Sequence, residues 1–169
     1  MASEITSFRQ QPRFICDYQT IRSLNEECDQ ILDKFEGRGL FDQYCGPYAA
    51  WIALRLMGKN PDAHRFFSRL PVNVKEINER GSYSSEIATL LGCGTSKQIF
   101  MEKNLNNKKI DRLLGRNKPV IVLFKDDEHF ANIIGSDQDY YYVLDYHDIC
   151  SVEKTSFRKS DHQFIYAGP

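Results

Sequence analysis

The chain has 169 residues, enough for one domain that buries roughly 70% of its unfolded surface and needs no disulfide or metal to hold it. Its 41% hydrophobic and 12% aromatic content excludes an intrinsically disordered chain. With 22 basic and 23 acidic residues, the formal net charge of -1 gives no global electrostatic case for nucleic acid or an anionic membrane.

Residues 1–18 have no clear periodicity and are expected to form an arm ahead of a single domain over 19–169. Met1-Ala2-Ser3-Glu4 carries neither a basic nor an apolar signal region, so a cytoplasmic location is the default expectation. Ile21, Leu24, Cys28, Ile31, Leu32 and Phe35 recur at helical spacing and predict an amphipathic helix over about 20–35, broken by Gly37 and Gly39. Tyr48 to Gly58 is apolar almost all round, which predicts a buried central helix. Pro47 suits its first turn, where a missing N–H costs nothing, and Cys45 then stands at the helix N-terminus. Asn60-Pro61 predicts the start of a third helix running through Phe66, Phe67 and Leu70, with a short turn over 72–80. Gly81 to Gly92 predicts a helix buried through Ile87, Leu90 and Leu91.

Gln98-Ile99-Phe100 reads as a short strand, and Asn106 or Asn107 opens a helix carrying Ile110, Leu113 and Leu114. The period then changes. Pro119–Phe124, His129–Ile134, Tyr140–Leu144 and Gln163–Tyr166 read as strands, the middle two joined by a polar turn over Gly135–Asp139. Helices followed by an antiparallel sheet predict an α+β fold, with a cleft between a helical layer and the sheet. Val120–Phe124 is among the longest apolar runs and falls far short of the ~20 residues of a membrane span.

Five scattered cysteines, Cys16, Cys28, Cys45, Cys93 and Cys150, never spaced C-x-x-C, argue against a zinc site or disulfide framework. Cys45 stands out by position. Unpaired backbone N–H groups and the positive end of the helix dipole favour thiolate, and the N–H of Cys45 itself would point at an oxyanion beside the sulfur. A small buried apolar residue would occupy the same place. His129 opens one strand of the predicted hairpin and Asp145 closes the other, so the two fall side by side. A carboxylate on one imidazole nitrogen leaves the second for a thiol, the nucleophile–base–orienter logic of Ser and Cys triads. Taken singly, His129 could be an exposed edge-strand residue and Asp145 a strand-terminating one. His147 is a rival base. His64 reads as a surface residue, His162 as exposed, Cys93 as a loop residue, Cys150 and Cys28 as core-facing and Trp51 as core.

Gln43-Tyr44-Cys45-Gly46-Pro47-Tyr48-Ala49-Ala50 resembles the nucleophile motif of papain-like cysteine peptidases, in particular the bacteriocin-processing (double-glycine leader) peptidases. Gly81 to Gly92 is similar to that family's following helix, and Ile110 to Phe124 to its entry into the sheet. His129 to Gly135, then Tyr142-Val143-Leu144-Asp145, resembles its His-Phe-Val-Val-Val-x-Gly and Val-x-Val-x-Asp-Pro segments, and Val152–Phe157 resembles the turn after them. The likeness is colinear from about residue 40 to residue 168.

The resemblance implies a papain-like domain and a thiol-dependent hydrolase acting on amide bonds of a peptide or protein, with Cys45, His129 and Asp145 as the triad. It implies no metal or organic cofactor. Relatives of the fold deamidate protein glutamines as toxins and effectors. A deamidase effector, exported without a signal peptide, is therefore one alternative, and a catalytically silent binding module is another. Two positions depart from the family. The family's oxyanion Gln, six residues before the Cys, is Gly39 here, which leaves Gln43 and the Cys45 N–H as candidate oxyanion donors, and Asp145 is followed by Tyr146 in place of Pro.

Overall fold

The structure, a computed structural model, describes residues 11–34, 44–68, 81–124, 128–157 and 161–169. Strand β1 (Arg13–Phe14) precedes helix α1 (Tyr18–Lys34). Three helices follow, α2 (Cys45–Leu56), α3 (Ala63–Ser68) and α4 (Ser84–Gly94). The rest of the chain runs β2 (Ile99–Lys103), α5 (Asn107–Gly115), β3 (Val120–Phe124), β4 (His129–Ser136), β5 (Tyr140–Asp145), β6 (Asp148–Glu153), α6 (Lys154–Phe157) and β7 (Gln163–Ala167). All strands pair antiparallel in one seven-stranded sheet of order β2-β7-β3-β4-β5-β6, with β1 beside the far end of β4. The fold is α+β, as expected.

The helix boundaries follow local chemistry. Asp17 Oδ1 accepts the Thr20 N–H at 2.7 Å at the start of α1. Asp62, rather than Asn60, caps α3 by accepting the Arg65 N–H at 2.7 Å, because the Asn60 amide oxygen is engaged by the Arg55 guanidinium at 3.0 Å. Asn106 Oδ1 accepts the Lys109 N–H at 2.9 Å and opens α5. Helix α4 runs on to Gly94, where an added Cβ would lie 2.2 Å from Leu54 Cδ1 on α2, so glycine permits that close approach. Cys93 therefore lies in the last turn of a helix, not in a loop.

The sheet is buried on both faces, so three layers replace the expected two. Ile121, Phe130, Ile134, Leu144 and Ile165 meet α1, α2, α3 and α4 on one face, around Trp51, Phe66, Phe67 and Ile87. Val120, Val122, Ala131, Ile133, Tyr141, Val143, Phe164 and Tyr166 meet Ile110, Leu113 and Leu114 of α5, and Phe157, on the other. The burial of α2 is almost complete from Cys45 to Leu54, which accounts for its lack of a polar stripe.

The described part of the expected arm is not detached. Arg13 and Phe14 pair with Ser136 and Gly135, and the Ile15 N–H donates to Ile134 O at 2.9 Å. An edge strand, β6, was not expected. It pairs along the whole of β5, and it leaves Cys150 exposed instead of core-facing. His162 is buried at 7% exposure against the rings of Phe124 and Phe157, contrary to the reading as exposed. Phe35, Leu70, the turn over 72–80, Gly39 and Gln43 lie outside the described residues. Among the described residues, no helix is long and apolar enough to cross a membrane.

Candidate active site

The site forms where the N-terminus of α2 meets the ends of β4 and β5. Tyr44 is the N-cap, and the first helical hydrogen bond runs from the Tyr48 N–H to Tyr44 O at 2.9 Å. Cys45 is thus the first helical residue. The N–H groups of Cys45 and Gly46 precede any helical acceptor, Pro47 has none, and no described side chain caps this end. Gly46 is required by packing: a Cβ there would lie 2.5 Å from Ile87 Cδ1 and 3.1 Å from Ser82 Cβ. The tight contact seats the first turn of α2 against α4.

Two hydrogen bonds lock α2 to β4. Asn132, only 2% exposed, donates through Nδ2 to Ala49 O at 3.0 Å. The Phe130 N–H donates to the Cys45 sulfur at 3.5 Å. The sulfur is thereby held beside the residue that follows His129. Cys45, Tyr48, Ala49, Ile52, Phe130, Ala131, Asn132, Leu144 and Tyr146 line a cavity of about 10 Å³ beneath it, scarcely room for one water.

His129 Nε2 and Asp145 Oδ1 lie 2.5 Å apart. They are not directly opposite each other as the hairpin geometry suggested. Asn132 pairs with Leu144, and continuing that register sets Asp145 across from Ala131, so His129 reaches it on the diagonal. The β4–β5 loop is shorter than the predicted five residues, spanning Asp137–Asp139, and a bulge between Ile133 and Gly135 shifts the strands beyond it.

The Cys45 side chain acts on the same ring. The hydrogen bond to Cys45 is the largest influence on His129, opposed by burial and reinforced by the hydrogen bond to Asp145 and the charges of both partners. Together they raise the imidazole from 6.5 to about 9. The sequence-predicted Cys45, His129 and Asp145 are therefore within one connected group. Gln43 is outside the described residues. His147 is elsewhere: its Nε2 lies 2.6 Å from Asp29 Oδ2 of α1.

Tyr146, marked in the sequence only as a departure from the family's proline, packs against the site residue His129. It follows Asp145 at φ 51°, a left-handed angle that costs a residue with a side chain on the order of 1–2 kcal/mol. Its ring centroid is 5.7 Å from that of His129 and 5.0 Å from that of Tyr48, which it meets edge-on. The Tyr48 hydroxyl donates to the buried Asn25 Oδ1 at 2.9 Å. Among the described residues, no group of three or more His, Cys, Asp or Glu side chains is placed to hold a metal ion.

A buried helix with cysteine at its N-terminus, facing a histidine and a carboxylate on neighbouring antiparallel strands, has the arrangement of a papain-like α+β fold. Comparison with solved structures narrows the fold further. The chain is similar to a protein from Bacillus anthracis described as a C39-like peptidase, with 14% identity and a TM-score of 0.58 over 76% of this chain and 90% of that one. It is also similar to a double-glycine motif protease from an AMS/PCAT transporter, solved in complex with the leader peptide. That match has 13% identity and a TM-score of 0.54 over 98% of this chain and 97% of that one. No protein-family model and no curated protein sequence matches the chain. At these identities the likeness establishes the fold: the chain has the papain-like fold of the C39 peptidases.

Proposed function

We propose that the protein is a thiol-dependent hydrolase of amide bonds in a peptide or protein. The observation that carries this reading is the 2.5 Å contact of His129 with Asp145 beside the Cys45 sulfur, which accepts the N–H of the next residue, Phe130, at the N-terminus of α2. The Cys45 thiolate attacks the amide carbonyl and forms a carbon–sulfur bond. The carbonyl oxygen becomes an oxyanion, which the N–H of Cys45 helps to hold, with Gln43 a second candidate donor by its place in the sequence. As the tetrahedral centre collapses, the carbon–nitrogen bond breaks and His129 gives its proton to the leaving amine. His129, now neutral, takes a proton from water, and the resulting hydroxide attacks the thioester to release the acid and restore the thiolate. Asp145 keeps the imidazole oriented and stabilises its cationic form.

A peptide substrate is favoured by the leader peptide bound to the double-glycine motif protease of the same fold. The reading is tested by incubating the chain with peptides bearing a Gly-Gly site and following their mass. New termini that disappear in Cys45→Ala support a peptidase. An intact chain gaining about 1 Da in place of cleavage supports deamidation by the same thiol chemistry. No thiol-dependent change across a broad peptide and protein set argues for a silent binding module.

A further inference from the structure

Strand β4 and helices α1 and α2 converge on the turn between β5 and β6. Asp145 ends β5, Asp148 opens β6 opposite it, and Tyr146 and His147 form the two-residue link. Tyr146 alone of these has a positive φ, 51°, in a place that turns ordinarily give to glycine. A bulky residue persists at such an angle when its surroundings hold it there. Those surroundings are specific. One side of the Tyr146 ring meets His129 and another meets Tyr48, whose hydroxyl is tied to Asn25 of α1. On the far side of the turn, His147 is tied to Asp29, one helical turn further along α1. The turn is therefore held to α1 directly at His147 and through Tyr48 of α2 at Tyr146.

We propose that Tyr146 is a positioning residue: its ring, backed by Tyr48 and Asn25, fixes the His129 imidazole in the plane that serves Asp145 and Cys45 together. The inference rests on the reading of Cys45 and His129 as nucleophile and base, and it adds the part that sets their geometry. A His129 ring free to turn about its Cβ–Cγ bond could satisfy Asp145 and lose the sulfur. The tyrosine ring, tilted against the imidazole at 5.7 Å between centroids, is placed to limit that rotation. The ring face does this work, so phenylalanine should replace tyrosine.

The test uses the full chain with Cys93→Ser and Cys150→Ser, which remove the exposed thiols. Tyr146, Tyr146→Gly and Tyr146→Phe are compared by two readouts: NMR titration of the His129 ring, and the rate of Cys45 alkylation by iodoacetamide from pH 5 to pH 10. Glycine accepts the left-handed angle at no cost, so Tyr146→Gly removes the ring without straining the turn. Its His129 midpoint is expected to fall by about half a unit or more. Its alkylation near pH 7 is expected to slow roughly tenfold, the scale of a small misplacement of reacting groups. Tyr146→Phe is expected to restore both. Tyr146→Gly matching wild type in both readouts overturns the proposal, as does Tyr146→Phe as damaged as Tyr146→Gly. If the glycine variant does not fold, Tyr146→Asn, which also tolerates the angle, is judged by the same outcomes. A wild-type Cys45 with no enhanced reactivity would sink the hydrolase reading, while the His129 titration would still decide the role of Tyr146.

Discussion

Replacing Asp145 with Asn removes one negative charge and leaves the side chain nearly the same size. In the structure the carboxylate lies 2.5 Å from His129 Nε2, and His129 is raised to about 9 chiefly by Cys45 and secondarily by Asp145. An opposite charge at this range moves a pKa by roughly 1–3 units. The Asp145 side chain is 39% exposed, so solvent screens it and the lower end applies, about one unit. The imidazole of Asp145→Asn should therefore titrate below that of wild type, by about one unit. NMR of the His129 ring reads this directly.

The same variant makes a stability prediction with a definite sign. His129 is raised above its unfolded value of 6.5, so its contribution to stability is fully present below pH 6.5 and is lost as pH rises through about 9. Urea melts of wild type and Asp145→Asn should differ most below pH 6.5 and converge above about pH 9. A His129 midpoint unmoved by Asp145→Asn, or a stability gap that widens with pH, would refute the reasoning.

Gly46→Ala presses a methyl group into Ile87 Cδ1 and should cost about 1–3 kcal/mol by urea denaturation. Ile87→Val removes that atom, so the double variant should lose less than the sum of the two single changes. Trp51→Ala opens a cavity against Phe66 and Phe67, and should lower stability by about 3–5 kcal/mol in the same assay. If Gln43 is an oxyanion donor, Gln43→Ala should lower kcat on a cleavable peptide by roughly 10²–10³ while leaving Cys45 alkylation unchanged. An equal loss in alkylation would mean that Gln43 acts on the thiol instead.

The elements legible in the sequence are those whose signal is local. The apolar wall of α2, the Ile110, Leu113 and Leu114 stripe of α5, and the β-branched run of β3 each announce themselves by composition and period. The parts that were not legible depend on contacts distant in sequence. Strand β1 is two residues long and exists only through Gly135 and Ser136. Strand β6 is exposed except at the half-buried Ile149 and Val152, three residues apart, so it has no period-two signal, and the turn before it hides its start: the left-handed position is Tyr146, where a turn would be announced by Gly or Asn. His162 is buried by rings from β3 and α6 that no pattern near residue 162 reveals. At the site, the motif and hairpin led to Cys45, His129 and Asp145, but not to their diagonal register. That offset arises because β5 pairs with β4 from Asn132 onward, beyond His129. Helix α5 was readable as amphipathic, yet nothing in its stripe says which face of the sheet it covers.

The central claim is that Cys45 and His129 act as a thiolate–imidazolium pair. It is tested most directly by the pH dependence of iodoacetamide labelling at Cys45, mapped by mass spectrometry, in wild type and in His129→Ala. The account predicts fast labelling of Cys45 well below pH 8 in wild type, slowed by His129→Ala. Labelling of Cys45 no faster than that of the exposed Cys93, and indifferent to His129, would contradict it.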